Sequence, residues 1–128
     1  MKHIIKTAEA PAAIGPYSQA VRIGNTVYLS GQIPLDPDTN EVCGGGFSDR
    51  ANQVFKNIST VATAAGGGLS SIVKLTIYVT DMDVFSTLNE VMEKCWPQPY
   101  PARAVVEVSA LPRGVDIEMD AIMVIEGV

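Results

Sequence analysis

A single histidine, His3, occurs in the 128 residues of this chain, and it sits beside a terminus, where order is weakest. Most Ser-His-Asp, Cys-His and zinc-site schemes need imidazole as base or ligand, so that scarcity excludes them. The two cysteines, Cys43 and Cys95, form no CxxC or metal-type spacing, a pattern of free thiols rather than of a disulfide or metal clip. Basic residues are also scarce: 9 Lys and Arg against 14 Asp and Glu leave a net charge of −5. With no basic cluster to offset that charge, a phosphate backbone is repelled, and nucleic acid is not an expected partner. No apolar run approaches a membrane span, and Met1-Lys2-His3-Ile4-Ile5-Lys6 lacks the apolar centre of a signal peptide. The expectation is a soluble, cytoplasmic protein with no membrane partner. Its chemistry must rest on carboxylate, arginine, tyrosine, backbone groups and water.

What is present is apolar: 47% of residues are hydrophobic and 18% charged. That is enough for a true core and leaves surface for a partner subunit to cover. The length fits one domain over 1–128. Two β-prone runs, Ala20–Ile23 and Thr26–Ser30, flank the turn Gly24-Asn25 and predict a hairpin. Pro34 to Asn40 and Gly44-Gly45-Gly46 mark a long connection. Ser48 or Asp49 is placed to cap a helix with Ala51, Val54, Phe55, Ile58, Val61, Ala62 and Ala65 on one face, ended by Gly66. Ile72–Val79 predicts a strand with Val73, Leu75, Ile77 and Val79 inward and Lys74, Thr76 and Tyr78 outward. Asp83 is placed to cap a second helix carrying Phe85, Leu88, Met92 and Cys95 or Trp96 on one side, stopped by Pro97. Strands over Arg103–Val108 and Val115–Ile125 follow. The order ββ-α-β-α-ββ, with a short extra strand at Ile4 and Ile5, implies an α+β fold: a mixed sheet with both helices on one face. The other face then needs cover, and in so short a chain another subunit supplies it most economically.

Chemistry gathers first at Tyr100-Pro101-Ala102-Arg103. A proline stiffens the entry to a strand, and the planar fork of Arg103 matches a carboxylate through two parallel hydrogen bonds. Further segments stand out: Ala10-Pro11-Ala12-Ala13-Ile14-Gly15-Pro16-Tyr17-Ser18-Gln19, Ser30-Gly31-Gln32-Ile33-Pro34 and Ile117-Glu118-Met119-Asp120-Ala121, with Asn89 in the second helix. In that order and spacing they resemble the Rid (YjgF) family of enamine and imine deaminases. The resemblance runs over nearly the whole chain. It implies a chorismate-mutase-like subunit in a homotrimer, with sites in the clefts between subunits and neither metal nor organic cofactor. It also implies hydrolysis of 2-iminobutanoate and 2-iminopropanoate to 2-oxo acids and ammonia, a protective step in amino-acid metabolism.

Carried over by position, Arg103 matches the family's carboxylate-gripping arginine, and Gly31 the point where backbone approaches the ligand, which a missing Cβ permits. Tyr17 matches the tyrosine lining the cleft, Ser30 a hydrogen-bonding residue there, and Asn89 a secondary site residue that ties helix to loop. Asp120 aligns with the glutamate that positions the attacking water. Asp116, Glu118 and Asp120 share one strand face that turns apolar at Ile122 and Val124, so Asp120 stands at a border between wet and dry. The chain departs from the family pattern in three places. Asp120 is one methylene short, Val105 stands where many members carry cysteine, and Cys95-Trp96-Pro97-Gln98-Pro99 is a shorter, proline-rich connection. A weakened base leaves a second possibility, a trimeric binder of small carboxylates without catalysis. The ribonuclease activity ascribed to some relatives fits poorly with an acidic chain lacking a histidine pair.

Overall fold

The computed structural model describes residues 1–126. Six strands, β1 (His3–Ile5), β2 (Ala20–Ile23), β3 (Thr26–Gln32), β4 (Ile72–Val79), β5 (Ala102–Glu107) and β6 (Ile117–Val124), form one sheet in the order β1-β2-β3-β6-β4-β5. Helices α1 (Phe47–Ala64) and α2 (Phe85–Cys95) pack together, and α1 lies on β3 and β6. The last strand in sequence, β6, runs antiparallel to both β3 and β4 at the centre, while β5 closes the edge parallel to β4. A parallel neighbour demands a crossover, and α2 with its flanking loops supplies it.

The helical stripe from Ala51 to Ala65 is buried as its spacing requires, with Asn57 added to it. The sealed layer also takes Leu75, Ile77 and Val79 from β4 and Ile117, Met119, Ala121 and Met123 from β6. Phe55 meets Trp96 edge to face at 5.8 Å between ring centroids, the arrangement that aromatic quadrupoles favour.

Three local expectations are corrected. The cap of α1 is Gly46, not Ser48 or Asp49; the Asp49 carboxylate instead reaches back to accept from the Gly46 N–H, one half of a capping box. Asp81 rather than Asp83 caps the entry to α2, accepting from the Asp83 N–H ahead of a short 3₁₀ turn over Met82–Val84. Val73 is exposed and Ile72 buried, because the β4–β6 register shifts between Ile72 and Lys74. An extra residue there flips the side chain before it, which alternation alone cannot foresee.

The helix-free face is neither sealed nor fully polar. Tyr28 and Val106 are exposed on it, and Lys74, Thr76, Tyr78, Glu118, Asp120, Ile122 and Val124 are half-buried. Among the described residues no helix is long and apolar enough to cross a membrane.

Candidate active site

β3 carries one residue more than β6 where they pair: Leu29 faces Ala121 and Gln32 faces Met119, leaving Ser30 and Gly31 opposite Asp120 alone. This bulge turns the strand beside Glu118. A Cβ at Gly31 would collide with the Glu118 carboxylate, so glycine is required for the acid to lie against the backbone. The bulge in β3 and the approach of Glu118 to the Gly31 backbone are one feature.

Around that contact lies a cavity of about 620 Å³, whose lining includes Tyr17, Ser30, Gly31, Arg113 and Glu118 with an apolar wall from Ile14, Ile33 and Leu35. Buried amides hold the wall. Gln19 donates to the carbonyls of Thr7 and Pro11 and accepts from the Thr7 N–H, pinning the incoming segment against β2 and β3. Asn57 donates to the carbonyls of Ile33 and Leu35. Both amides satisfy backbone that would otherwise be stranded without a partner. The Ser30 hydroxyl donates to the Ser18 carbonyl, so part of its hydrogen-bonding capacity is structural.

Arg50 grips Asp116 through two 2.8 Å hydrogen bonds. The pair is part-exposed and contributes at most about 1 kcal/mol, but it moors the start of β6 to α1. Among the described residues, Glu118 has no such ion-pair partner. Burial pushes its carboxyl above the usual range, and the negative charge of Asp120 pushes it further. A carboxyl in that condition exchanges protons nearer neutrality, which suits a general acid or base.

Asp120, expected from the resemblance to take the place of the family glutamate, is not among the residues lining this cavity. Its carboxylate accepts from the Tyr78 hydroxyl at 2.9 Å. The acid that sequence reasoning passed over is Glu118. The available signal was strand alternation, which puts Glu118 on the same face two residues earlier, together with a glycine on the neighbouring strand.

Arg103 lies elsewhere, in a smaller cavity of about 290 Å³ lined by Asn89, Met92, Glu93, Tyr100, Pro101 and itself. One guanidinium nitrogen donates to Asn89 Oδ1 at 2.8 Å and faces the Met92 sulfur at 3.6 Å. Arg103 and Asn89, both expected at the site, are therefore together. Cross-strand partners share a sheet face. Arg103 stands level with buried Leu75, whereas Glu118 stands level with Tyr78. The arginine thus projects to the helix side and the glutamate to the open side. With β4 between their strands, they are also offset sideways by about 10 Å. One chain does not bring the cation and this carboxylate into one cleft.

The sequence matches the family described as Endoribonuclease L-PSP over residues 7–125. The 2-iminobutanoate/2-iminopropanoate deaminase of Dermatophagoides farinae is 46% identical, with 98% of each chain covered. The human protein of the same name is 41% identical over 97% of this chain and 90% of its own. Among solved structures, RidA from the Antarctic bacterium Psychrobacter sp. PAMC 21119 superposes with a TM-score of 0.93 at 50% identity, covering 96% of this chain and 99% of that one.

Proposed function

This chain belongs to the Rid (YjgF) family, described also as Endoribonuclease L-PSP, and on that premise we propose that it hydrolyses 2-iminobutanoate and 2-iminopropanoate to 2-oxo acids and ammonia. The named deaminases at 41% and 46% identity support the reaction. The observation that carries it for this chain is Glu118, a carboxyl of raised proton affinity held against the backbone of Gly31 in a cavity large enough for a small acid.

In this reading Arg103 of one protomer binds the substrate carboxylate. The planar imino acid is thereby fixed in position and orientation, which lowers the barrier to attack at its imine carbon. Glu118 of a neighbouring protomer takes a proton from water as the oxygen adds to that carbon. It then returns the proton to nitrogen, and the carbinolamine collapses to ketone and ammonia. Tyr17 and Ser30 line the cleft beside the water. This role for Glu118 replaces the one expected for Asp120, whose carboxylate is engaged by Tyr78. No step requires a thiol, so Val105 removes nothing.

The assembly in this proposal is a homotrimer, with the site shared between subunits. Support comes from the opposite facing of Arg103 and Glu118, from the half-apolar open sheet face, and from the family resemblance, which selects three. Two free thiols accord with a cytoplasmic setting.

The deciding experiment forms 2-iminobutanoate in place with a threonine dehydratase in the presence of semicarbazide. The protein is expected to suppress semicarbazone formation catalytically and to release ammonia and 2-oxobutanoate. Suppression only in proportion to protein added, without turnover, would favour the carboxylate binder instead.

A further inference from the structure

Phe85 opens α2 with its side chain 38% exposed, although a phenylalanine on the inward stripe of an amphipathic helix is expected to be sealed. Phe85, Asn89 and Met92 follow the i, i+4, i+7 spacing that aligns side chains along one helix face, and all three meet Arg103. The guanidinium carbon lies 5.5 Å from the Phe85 ring centroid. Asn89 and Met92 occupy one terminal nitrogen. Among the described residues, the Nε and the other terminal nitrogen of Arg103 have no hydrogen-bond partner. Those are the two donors that present a parallel fork to a carboxylate. Phe85 itself is absent from the cavity lining, so whatever it contributes there passes through the arginine.

We propose that Phe85 is a positioning residue: its ring face fixes the plane of the Arg103 guanidinium, while Asn89 sets the rotation that aims the open fork into the cavity. Free arginine side chains sample many rotamers, and an aromatic face beneath the cation removes that freedom before the ligand arrives. The ring supplies no bond to substrate, and its effect is on binding. A positioning residue that holds the clamp alike before and during reaction changes KM and leaves kcat in place.

The inference rests on Arg103 being the carboxylate clamp, and the test separates the two. Calorimetry with 2-oxobutanoate is run on Phe85→Leu, Phe85→Tyr and Arg103→Ala, with kcat and KM measured for imine generated at steady state by an amino-acid oxidase. Phe85→Leu, similar in bulk but without a π face, is expected to raise Kd and KM about three- to tenfold with kcat within twofold, and Phe85→Tyr to restore both. A second readout is the Arg103 Nε–H resonance, assigned by its loss in Arg103→Lys. It should lie upfield under the ring current in the native protein and Phe85→Tyr, and return downfield in Phe85→Leu. If Phe85→Leu disturbs the helix, pentafluorophenylalanine at position 85 keeps the shape and reverses the ring's charge distribution, with the same losses expected. Equal losses in the leucine and tyrosine variants, or no loss in leucine or pentafluorophenylalanine while Arg103→Ala weakens binding at least tenfold, would overturn the role of Phe85 and leave the clamp standing. Unchanged affinity in Arg103→Ala would remove the clamp, and this inference with it.

Discussion

The cavity holding Glu118 and the cavity holding Arg103 are built by opposite means. Glu118 projects from the central strand β6, beside a bulge, against a glycine that yields it room, and among the described residues it has no ion-pair partner. Arg103 projects from the edge strand β5 and is braced by one amide, one sulfur and one aromatic ring from a single helix. The acid is set under electrostatic stress at a rigid place. The braced cation is held in shape and left with its fork open. Reactive groups gain from stress and recognition groups from preorganisation, and in the proposed mechanism Glu118 and Arg103 divide these tasks from different faces of one sheet.

The largest effect should come from the stressed side. Glu118→Gln keeps shape and removes basicity, so kcat for imine hydrolysis is expected to fall on the order of 10²- to 10⁴-fold, while calorimetry shows 2-oxobutanoate binding within a few-fold of native. The same substitution should help folding. A carboxyl whose proton affinity is raised by burial stabilises the fold less as pH rises through its folded-state value. Glu118→Gln should therefore raise Tm near pH 8, with the gain vanishing below the ordinary carboxylate range. A native kcat in this variant would erase the distinction between the two cavities.

The clamp should show the complementary pattern. Arg103→Ala is expected to weaken 2-oxobutanoate binding by about 10- to 150-fold, the loss typical of hydrogen bonds to a charged group, and Lys should rescue it poorly because it lacks the fork. Neither inactive variant alone can form a complete shared site. Mixing unfolded Arg103→Ala and Glu118→Gln and refolding them together should return about one quarter of native activity, because half the arginine sides and half the glutamate sides are intact at random. Failure to regain activity in mixed oligomers would show that the two halves do not meet across subunits.

A smaller effect is expected at Asp120. Its charge raises the proton affinity of Glu118, after burial. The other charged or titratable groups near Glu118 are Tyr78 and Tyr17, Arg113 at the cavity, and Asp116, which Arg50 engages. Asp120→Asn should move the acidic limb of the kcat/KM profile to lower pH and leave the plateau within a few-fold. A collapse of the plateau would return the base to Asp120. The smallest effect belongs to the thiols. Burial pushes Cys43 and Cys95 above the usual thiol range, so iodoacetamide near pH 7 should react slowly at both and leave activity unchanged.

Much of the frame was legible because it follows from short-range rules. The hairpin at Gly24-Asn25 appears as expected, as does the buried stripe of α1, and the β4 alternation holds from Leu75 onward. The misplacement of Val73 has a register cause. There, as at the bulge beside Gly31, a strand takes one residue more than its partner, and alternation counted along one strand carries no record of the other. Of the stripe expected on α2, Leu88 and Met92 are buried in the core while Phe85 stays exposed beside Arg103, since helical spacing alone does not tell a residue that seals the core from one that meets an arginine.

By itself the amino-acid sequence determined the elements, their amphipathic faces, the family and the arginine at the head of β5, because periodicity, turn chemistry and ordered motifs are local properties of the chain. Tertiary structure decided which of two acids on one strand face lies in the cavity. A bulge in β3 brings Gly31 against Glu118, while Tyr78 in β4 takes Asp120. It also decided that Arg103 and Glu118 look away from each other. Which side of a sheet a residue occupies depends on strand order and register, and those are settled by pairing between segments far apart in the chain.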